Sequence, residues 1–103
     1  MKQLTIIVRP FRAEAVLQAV AEMEVAACVV REAKGYSRQK GYLDKYQGSE
    51  YSMAFLPKVE ITLCVQDDLA EVAEEALARA ARTGRMGDGK VFVVPMVGEA
   101  LEF

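Results

Sequence analysis

Two periods of hydrophobic residues follow one another along the chain, one typical of helices and the other of strands. A helical stripe over roughly 13–23 is formed by apolar residues at i, i+3, i+4 and i+7: Ala13, Val16, Leu17 and Val20. A second stripe of the same period runs from Leu69 to Ala80. Over Val59–Val65 the apolar residues instead occupy every other position, which predicts a half-buried strand.

Three further apolar runs are short and rich in β-branched residues, and they predict strands over Leu4–Val8, Val25–Val30 and Val91–Val94. The elements then follow the order β-α-β-β-α-β. This order predicts an α+β, ferredoxin-like fold, in which an antiparallel sheet carries both helices on one face. With 103 residues and 11.4 kDa, the chain has the length of a single domain, 1–103.

Local signals mark the ends of the second helix and the two cysteines. Asp68 followed by Glu71 resembles a capping box, and Gly84 is a suitable C-terminal stop. Cys28 and Cys64 fall on predicted strands, and without histidine they make a poor metal site. We therefore expect two free thiols packed in the interior. Whether the two cysteines share a face depends on the strand register, because a shift of one residue moves every side chain of a strand to the other face of the sheet.

The charge balance and the residue types exclude several functions. Lys and Arg total 13 and Asp and Glu total 15, so the net charge of −2 disfavours non-specific nucleic-acid binding. The absence of histidine excludes zinc fingers, Ser-His-Asp triads and histidine acid–base catalysis. Leu4–Val8 is too short for a signal-peptide core, and no stretch approaches the about 20 apolar residues of a membrane span. We expect a cytoplasmic protein without membrane insertion.

Two segments carry candidate functional chemistry. Residues 34–52 are polar, rich in Tyr and Gly, and without a period; such long loops are usually functional or mobile. Thr83–Lys90 combines three glycines with a lysine, so its backbone N–H groups and ammonium could surround an anion. Val91 stands where a Walker A loop has Ser or Thr, and the loop runs from helix to strand, so this is not a Walker A motif. A tight turn after a helix is an equally good interpretation at this point.

Several stretches of the chain resemble the PII nitrogen-regulatory signal-transduction proteins. They are Arg9-Pro10-Phe11, Lys34-Gly35-Tyr36-Ser37-Arg38-Gln39-Lys40-Gly41, Tyr46-Gln47-Gly48-Ser49-Glu50-Tyr51, Phe55-Leu56-Pro57-Lys58, and Thr83-Gly84 to Lys90-Val91-Phe92-Val93. The resemblance implies a homotrimer that binds ATP or ADP, and often 2-oxoglutarate, in clefts between subunits. It also implies a long T-loop, about 37–54, that docks on a partner such as a membrane transporter or a metabolic enzyme. The protein itself would not be an enzyme.

The resemblance assigns site residues position by position. The implied nucleotide-binding residues lie at the base of the T-loop and in the B-loop, about 83–90: Gly35, Arg38, Gln39, Thr83, Gly84, Gly87, Asp88, Gly89 and Lys90. Gln39 stands where the family places an amide oxygen on a nucleotide-bound Mg²⁺. Lys58 stands where the family pairs with the far carboxylate of 2-oxoglutarate. Tyr51 occupies the position of a tyrosine that some bacterial members have uridylylated, and we favour partner contact over modification.

Other positions depart from the family pattern. Val29, Thr62 and Cys64 replace Thr, Glu and Val on the strand face that lines the family's base and ribose pocket. Leu101 and Phe103 stand where the family has two arginines that reach the phosphates. Each charged hydrogen bond contributes about 1.5–3 kcal/mol, so we expect weaker phosphate binding and a smaller preference for ATP over ADP.

These departures indicate a divergent member and leave other functions open. One alternative is a PII-like trimer that senses AMP or an inorganic anion, and another is a metal-tolerance-related protein on the same fold. An acyl-phosphate hydrolase on this fold is disfavoured, because the chain has no asparagine and Pro10 directly follows Arg9.

Overall fold

The computed structural model describes residues 1–35, 56–84 and 89–97. Its helices and strands are β1 (Lys2–Val8), α1 (Ala13–Ala21), β2 (Ala27–Gly35), β3 (Leu56–Val65), α2 (Ala70–Ala81) and β4 (Gly89–Pro95). The predicted β-α-β-β-α-β order is confirmed, and with it the α+β, ferredoxin-like fold. No helix within these ranges is both long enough and apolar enough to cross a membrane.

The four strands form one sheet in the order β2-β3-β1-β4, and every neighbouring pair is antiparallel. β1 therefore lies inside the sheet, between β3 and β4, while β2 and β4 are the edges. β1 runs in full register with both neighbours: Leu4 lies opposite Leu63 on one side and opposite Val93 on the other. In this register the alternating apolar residues predicted over Val59–Val65 all lie on the same face of the sheet.

The hydrophobic core lies between that face and the two helices. Its strand residues are buried on β1 and β3: Leu4, Ile6, Val8, Ile61, Leu63 and Val65. Its helix residues come from one stripe of each helix: Val16, Val20, Ala70, Ala73, Leu77 and Ala81. Both helices thus share one face of the sheet, because the i, i+3, i+4 stripe of each can be buried only there.

The opposite face of the sheet, the open face, carries no helix and mixes apolar with paired polar side chains. Val29, Phe92 and Val94 are about half exposed there, at 50%, 48% and 49%. The hydroxyls of Thr5 and Thr62 lie 3.2 Å apart across β1 and β3. Phe92 and Val94 are neighbours on this face of β4, and adjacent exposed apolar side chains mark an interaction site more often than isolated ones do.

The two cysteines lie on opposite faces of the sheet. Cys28 is opposite Leu63 and therefore shares the helix side, whereas Cys64 is opposite Ala27 on the open face. Both thiols are free, as predicted, but interior packing is wrong for Cys28, which is exposed because β2 is an edge strand. Partial desolvation still raises the pKa of the Cys28 thiol above its usual value, which lowers its thiolate fraction and its reactivity.

The start of α2 differs from the predicted capping box. A 3₁₀ turn over Asp67–Leu69 precedes the helix, whose N-cap is Leu69 and which has no side-chain cap hydrogen bond. Asp68 is therefore part of the turn and does not cap the helix. Asp67 instead lies 2.8 Å from the amino group of Met1, and the hydrogen bond between them lowers the pKa of this carboxyl group. This pair joins the turn to the beginning of β1.

Candidate functional site

The candidate site residues gather at one end of the sheet, where β1 ends at Val8. Val8 lies opposite Val59 of β3 and Gly89 of β4, and Val59 lies opposite Glu32 of β2. The beginnings of β3 and β4 and the later part of β2 therefore meet at the same level. We call this level, together with the chain just beyond it, the Val8 end of the sheet.

β2 and β3 continue past the Val8 end as a two-stranded arm. Ala33, Lys34 and Gly35 pair with Lys58, Pro57 and Leu56, three residue pairs beyond the one opposite Val8. At about 3.3 Å per residue, the arm extends about 10 Å from the sheet. Gly35, the predicted base of the T-loop, is its last residue. The arm therefore connects the Val8 end directly to residues 36–55, which lie outside the described ranges.

Lys90 lies at the Val8 end on the open face. It is opposite Ile7, and the alternation of β4 directs it away from the helices, on the same side as Phe92 and Val94. Its side chain is exposed, and among the described residues its ammonium forms no ion pair. The same cross-strand row contains Glu60, whose carboxylate is engaged with the Arg31 guanidinium at 3.0 Å. Lys90 is thus a cation available to an external anion.

Two glycines of the predicted B-loop have distinct conformational requirements. Gly84 follows α2 with φ +84°, a left-handed conformation that favours glycine, as its predicted role as a stop requires. Gly89 opens β4 beside β1, and a Cβ added there would lie 2.3 Å from the carbonyl oxygen of Ile7. Both positions therefore require glycine for the backbone itself, independently of any anion bound by the loop.

The guanidinium of Arg12 fixes the end of α2 near the Val8 end. Arg12 follows β1 in the 3₁₀ turn Pro10–Arg12, and its Nε donates a hydrogen bond of 3.1 Å to the carbonyl oxygen of Ala80. Its Nη2 donates to the same oxygen. Carbonyls in the last turn of a helix lack a partner within the helix, so this contact satisfies one of them. It also holds the end of α2, which leads into Thr83 and Gly84, against the turn that follows β1.

Lys58 is 5% exposed, and it is the one buried charged residue within the described ranges. It lies opposite Ala33 at the base of the arm. A lysine is seldom buried without a compensating interaction, and Lys58 is not without one. Its place at the base of the arm is where the resemblance expects a lysine that contacts a ligand carboxylate.

The structure thus brings together part of the set predicted from the sequence. Gly35, Lys58, Gly89 and Lys90 lie at the Val8 end or on its arm, and Thr83 and Gly84 lead toward it. The other predicted site residues lie outside the described ranges: Arg38, Gln39, Tyr51, Gly87 and Asp88. Leu101 and Phe103, the departures from the family's arginines, lie outside them as well.

Two contacts at the Val8 end were not predicted from the sequence. The Arg31–Glu60 pair lies in a stretch whose polar residues concealed the continuation of β2. The two residues are directly opposite on neighbouring strands, a pairing that only the strand register reveals. The contact between Arg12 and Ala80 joins residues distant in sequence and has no local signal. Within the described residues, no three Asp, Glu or Cys side chains cluster in a way that could hold a metal ion.

The chain is similar in sequence to known proteins along most of its length. The family model described as nitrogen regulatory protein P-II matches residues 1–98. A nitrogen regulatory protein P-II from Azospirillum brasilense is 47% identical over 96 residues, which cover 93% of this chain and 86% of the relative. One from Bradyrhizobium diazoefficiens is 48% identical over 93 residues, covering 90% and 83%. Nitrogen regulatory protein P-II 1 from Escherichia coli is 43% identical over 93 residues, which cover 90% of this chain and 83% of the relative. The chain therefore belongs to the nitrogen regulatory protein P-II family, whose members are signalling proteins.

Proposed function

We propose that this protein senses ATP and ADP, together with 2-oxoglutarate, in clefts between the subunits of a homotrimer. It then regulates a partner, a transporter or a metabolic enzyme, through its T-loop, about 37–54. It has no catalytic activity of its own. The observation that carries the proposal is the convergence of Lys90, Lys58 and the arm at the Val8 end, which links a cationic site to the base of that loop.

The charge at the Val8 end suits a phosphate group. Lys90 presents an ammonium that no described carboxylate neutralises, because Glu60 is engaged with Arg31. Ammonium–phosphate contacts are charge-assisted and about twice as strong as neutral hydrogen bonds. In the family, the backbone of Gly87, Asp88 and Gly89 supplies further donors, and the left-handed conformation at Gly84 starts this loop in a turn.

The position of Lys90 also suits a cleft between subunits. Lys90 shares the open face with Phe92 and Val94, two residues and four residues further along the same strand. If a second subunit covers those apolar side chains, Lys90 lies at the rim of the contact. A nucleotide bound there would touch both subunits, so its binding could report on their arrangement.

Lys58 and Gln39 support the second effector. Lys58 is largely desolvated, and attraction to a carboxylate is stronger where water is excluded, so a ligand carboxylate could replace the interaction that Lys58 makes in the single subunit. Gln39 follows the arm by four residues and would supply an amide oxygen to Mg²⁺ held by the nucleotide. Because the arm carries both Lys58 and Gly35, ligand contacts at its base would bias the conformers of the T-loop.

The test of this function is calorimetry of the purified protein with ATP, ADP, AMP, inorganic phosphate and 2-oxoglutarate, each with and without Mg²⁺. ATP and ADP should bind with similar affinities, and 2-oxoglutarate should bind only when ATP and Mg²⁺ are present. Binding of AMP alone, or of inorganic phosphate alone, would replace the proposal with one of the two alternative effectors. Absence of binding by all five would refute nucleotide sensing.

Deletion of Tyr42–Ser52 is expected to separate sensing from output. The deleted residues lie beyond the arm, so assembly and ATP binding should be unchanged, while capture of the regulated partner is lost. Tyr42, Tyr46 and Tyr51 are suited to this contact because tyrosine combines apolar area with a hydroxyl. The measurement is affinity capture from the native host with full-length and deleted protein, with ATP calorimetry as the control. Capture of the same partner by both proteins would show that the T-loop is not the output element.

A further inference from the structure

Gly89 is the first residue of β4 and the partner of Val8 in the ladder with β1. Beside this residue the backbone of β1 is unusually close. A Cβ at residue 89 would lie 2.3 Å from the carbonyl oxygen of Ile7, 3.4 Å from the carbonyl carbon and 3.5 Å from the Cα of Val8. The first of these distances is far inside van der Waals contact, and the obstructing atoms belong to the backbone of a central strand.

β1 has little freedom to move away from such a Cβ. It is paired on both edges, with β3 and with β4, and the Val8 side chain is fully buried against the helices. β4 is an edge strand, so relief of the clash would come from displacement of its first residues. The next residue is Lys90, whose position opposite Ile7 depends on the same rung of the ladder.

We propose that Gly89 is a positioning residue for Lys90: its lack of a side chain lets β4 close against β1 and thereby holds the Lys90 ammonium at the anion site. This inference rests on the proposed nucleotide-binding function. It differs from a role in which the Gly89 N–H donates directly to a phosphate, because alanine retains that N–H. A Gly89→Ala substitution therefore distinguishes the two roles.

The experiment is a double-mutant cycle for ATP affinity, measured by calorimetry on the wild type, Gly89→Ala, Lys90→Ala and the double variant. If Gly89 acts through Lys90, Gly89→Ala should weaken ATP binding by up to about 150-fold, the upper end of the range of one charged hydrogen bond. In the Lys90→Ala background the same substitution should cause little further loss. Equal losses in both backgrounds, or unchanged affinity in Gly89→Ala, would overturn the proposal.

Val91→Ala is the matched control for a simple loss of stability. Val91 lies on the same strand, opposite Ile6, and packs against the core from the helix side. Its truncation should lower the melting temperature and leave ATP affinity unchanged. A comparable loss of affinity in Val91→Ala would show that any damage to β4 weakens binding, which would contradict a specific positioning role.

A second measurement separates failure of this inference from failure of the proposed function. Backbone NOEs between Ile7 and Lys90 should be present in the wild type and in Val91→Ala, and lost or shifted in Gly89→Ala. Their retention in Gly89→Ala would refute positioning whether or not ATP binds. If the wild type binds no nucleotide while these NOEs are lost in Gly89→Ala, nucleotide sensing fails and the structural effect of Gly89 on Lys90 stands.

Discussion

Lys90→Ala is expected to abolish most ATP and ADP binding. The substitution removes an exposed ammonium that forms no ion pair with any described residue. No described carboxylate therefore loses a partner, and the fold should be unaffected. The ligand loses a charge-assisted contact with phosphate, which is typically about 1.5–3 kcal/mol, or about tenfold to 150-fold in affinity. We expect a proportionally larger effect because Leu101 and Phe103, which the resemblance aligns with two phosphate-binding arginines, carry no charge.

Lys2→Ala is the control for this measurement. Lys2 lies at the opposite end of the same sheet, opposite Val65 and Pro95, so its removal changes the net charge equally without touching the Val8 end. Calorimetry with ATP and ADP should show near wild-type affinity for Lys2→Ala and a large loss for Lys90→Ala. If Lys90→Ala binds both nucleotides as tightly as the wild type, Lys90 does not contact phosphate and the site must lie elsewhere.

The hydrophobic periods predicted the fold because the core imposes them. Ile61 and Leu63 are completely buried on β3, and Leu77 is completely buried on α2, at positions that the periods of two and 3.6 mark in the sequence. Every strand and helix with a core-facing stripe could therefore be found before the structure. The order of the elements then allowed few topologies.

Element ends that do not face the core were harder to predict. β2 was expected to end at Val30 and instead continues to Gly35, because the arm is held by backbone pairing with β3, and the Arg31–Glu60 contact joins the same two strands just before it. Neither leaves a hydrophobic period. The exposure of Cys28 has a related cause: its residue type favours burial, but its place on an edge strand depends on a strand order that no local pattern reveals.

The chemistry of the site could be predicted only in outline. Glycines next to a lysine indicated an anion loop over Thr83–Lys90, and the family resemblance strengthened that indication. The sequence could not show that Gly89 faces the Ile7 carbonyl, because that contact joins residues 82 positions apart through the sheet register. It likewise could not show that Glu60 is engaged with Arg31, which leaves Lys90 available.

Val94→Glu is expected to disrupt the proposed trimer. Val94 lies on the open face opposite Gln3 and is 49% exposed in the single subunit, beside the similarly exposed Phe92. Half-exposed apolar side chains on a sheet face without helices are most simply explained by cover from other subunits. A carboxylate buried in that contact without a partner is strongly unfavourable, and the charge would recur in each of the three subunits.

The same substitution at Val72 is the matched control, since Val72 is 67% exposed on α2, on the helix layer away from the open face. Light scattering should give three times the 11.4 kDa subunit mass for the wild type and for Val72→Glu. Val94→Glu should give a lower mass while circular dichroism retains the mixed helix and strand signal, because the core of the subunit lies on the other face. A monomeric wild type, or a Val94→Glu protein that keeps the trimer mass, would exclude the open face as the assembly surface. In either case Lys90 would not lie at the rim of a subunit contact made by Phe92 and Val94.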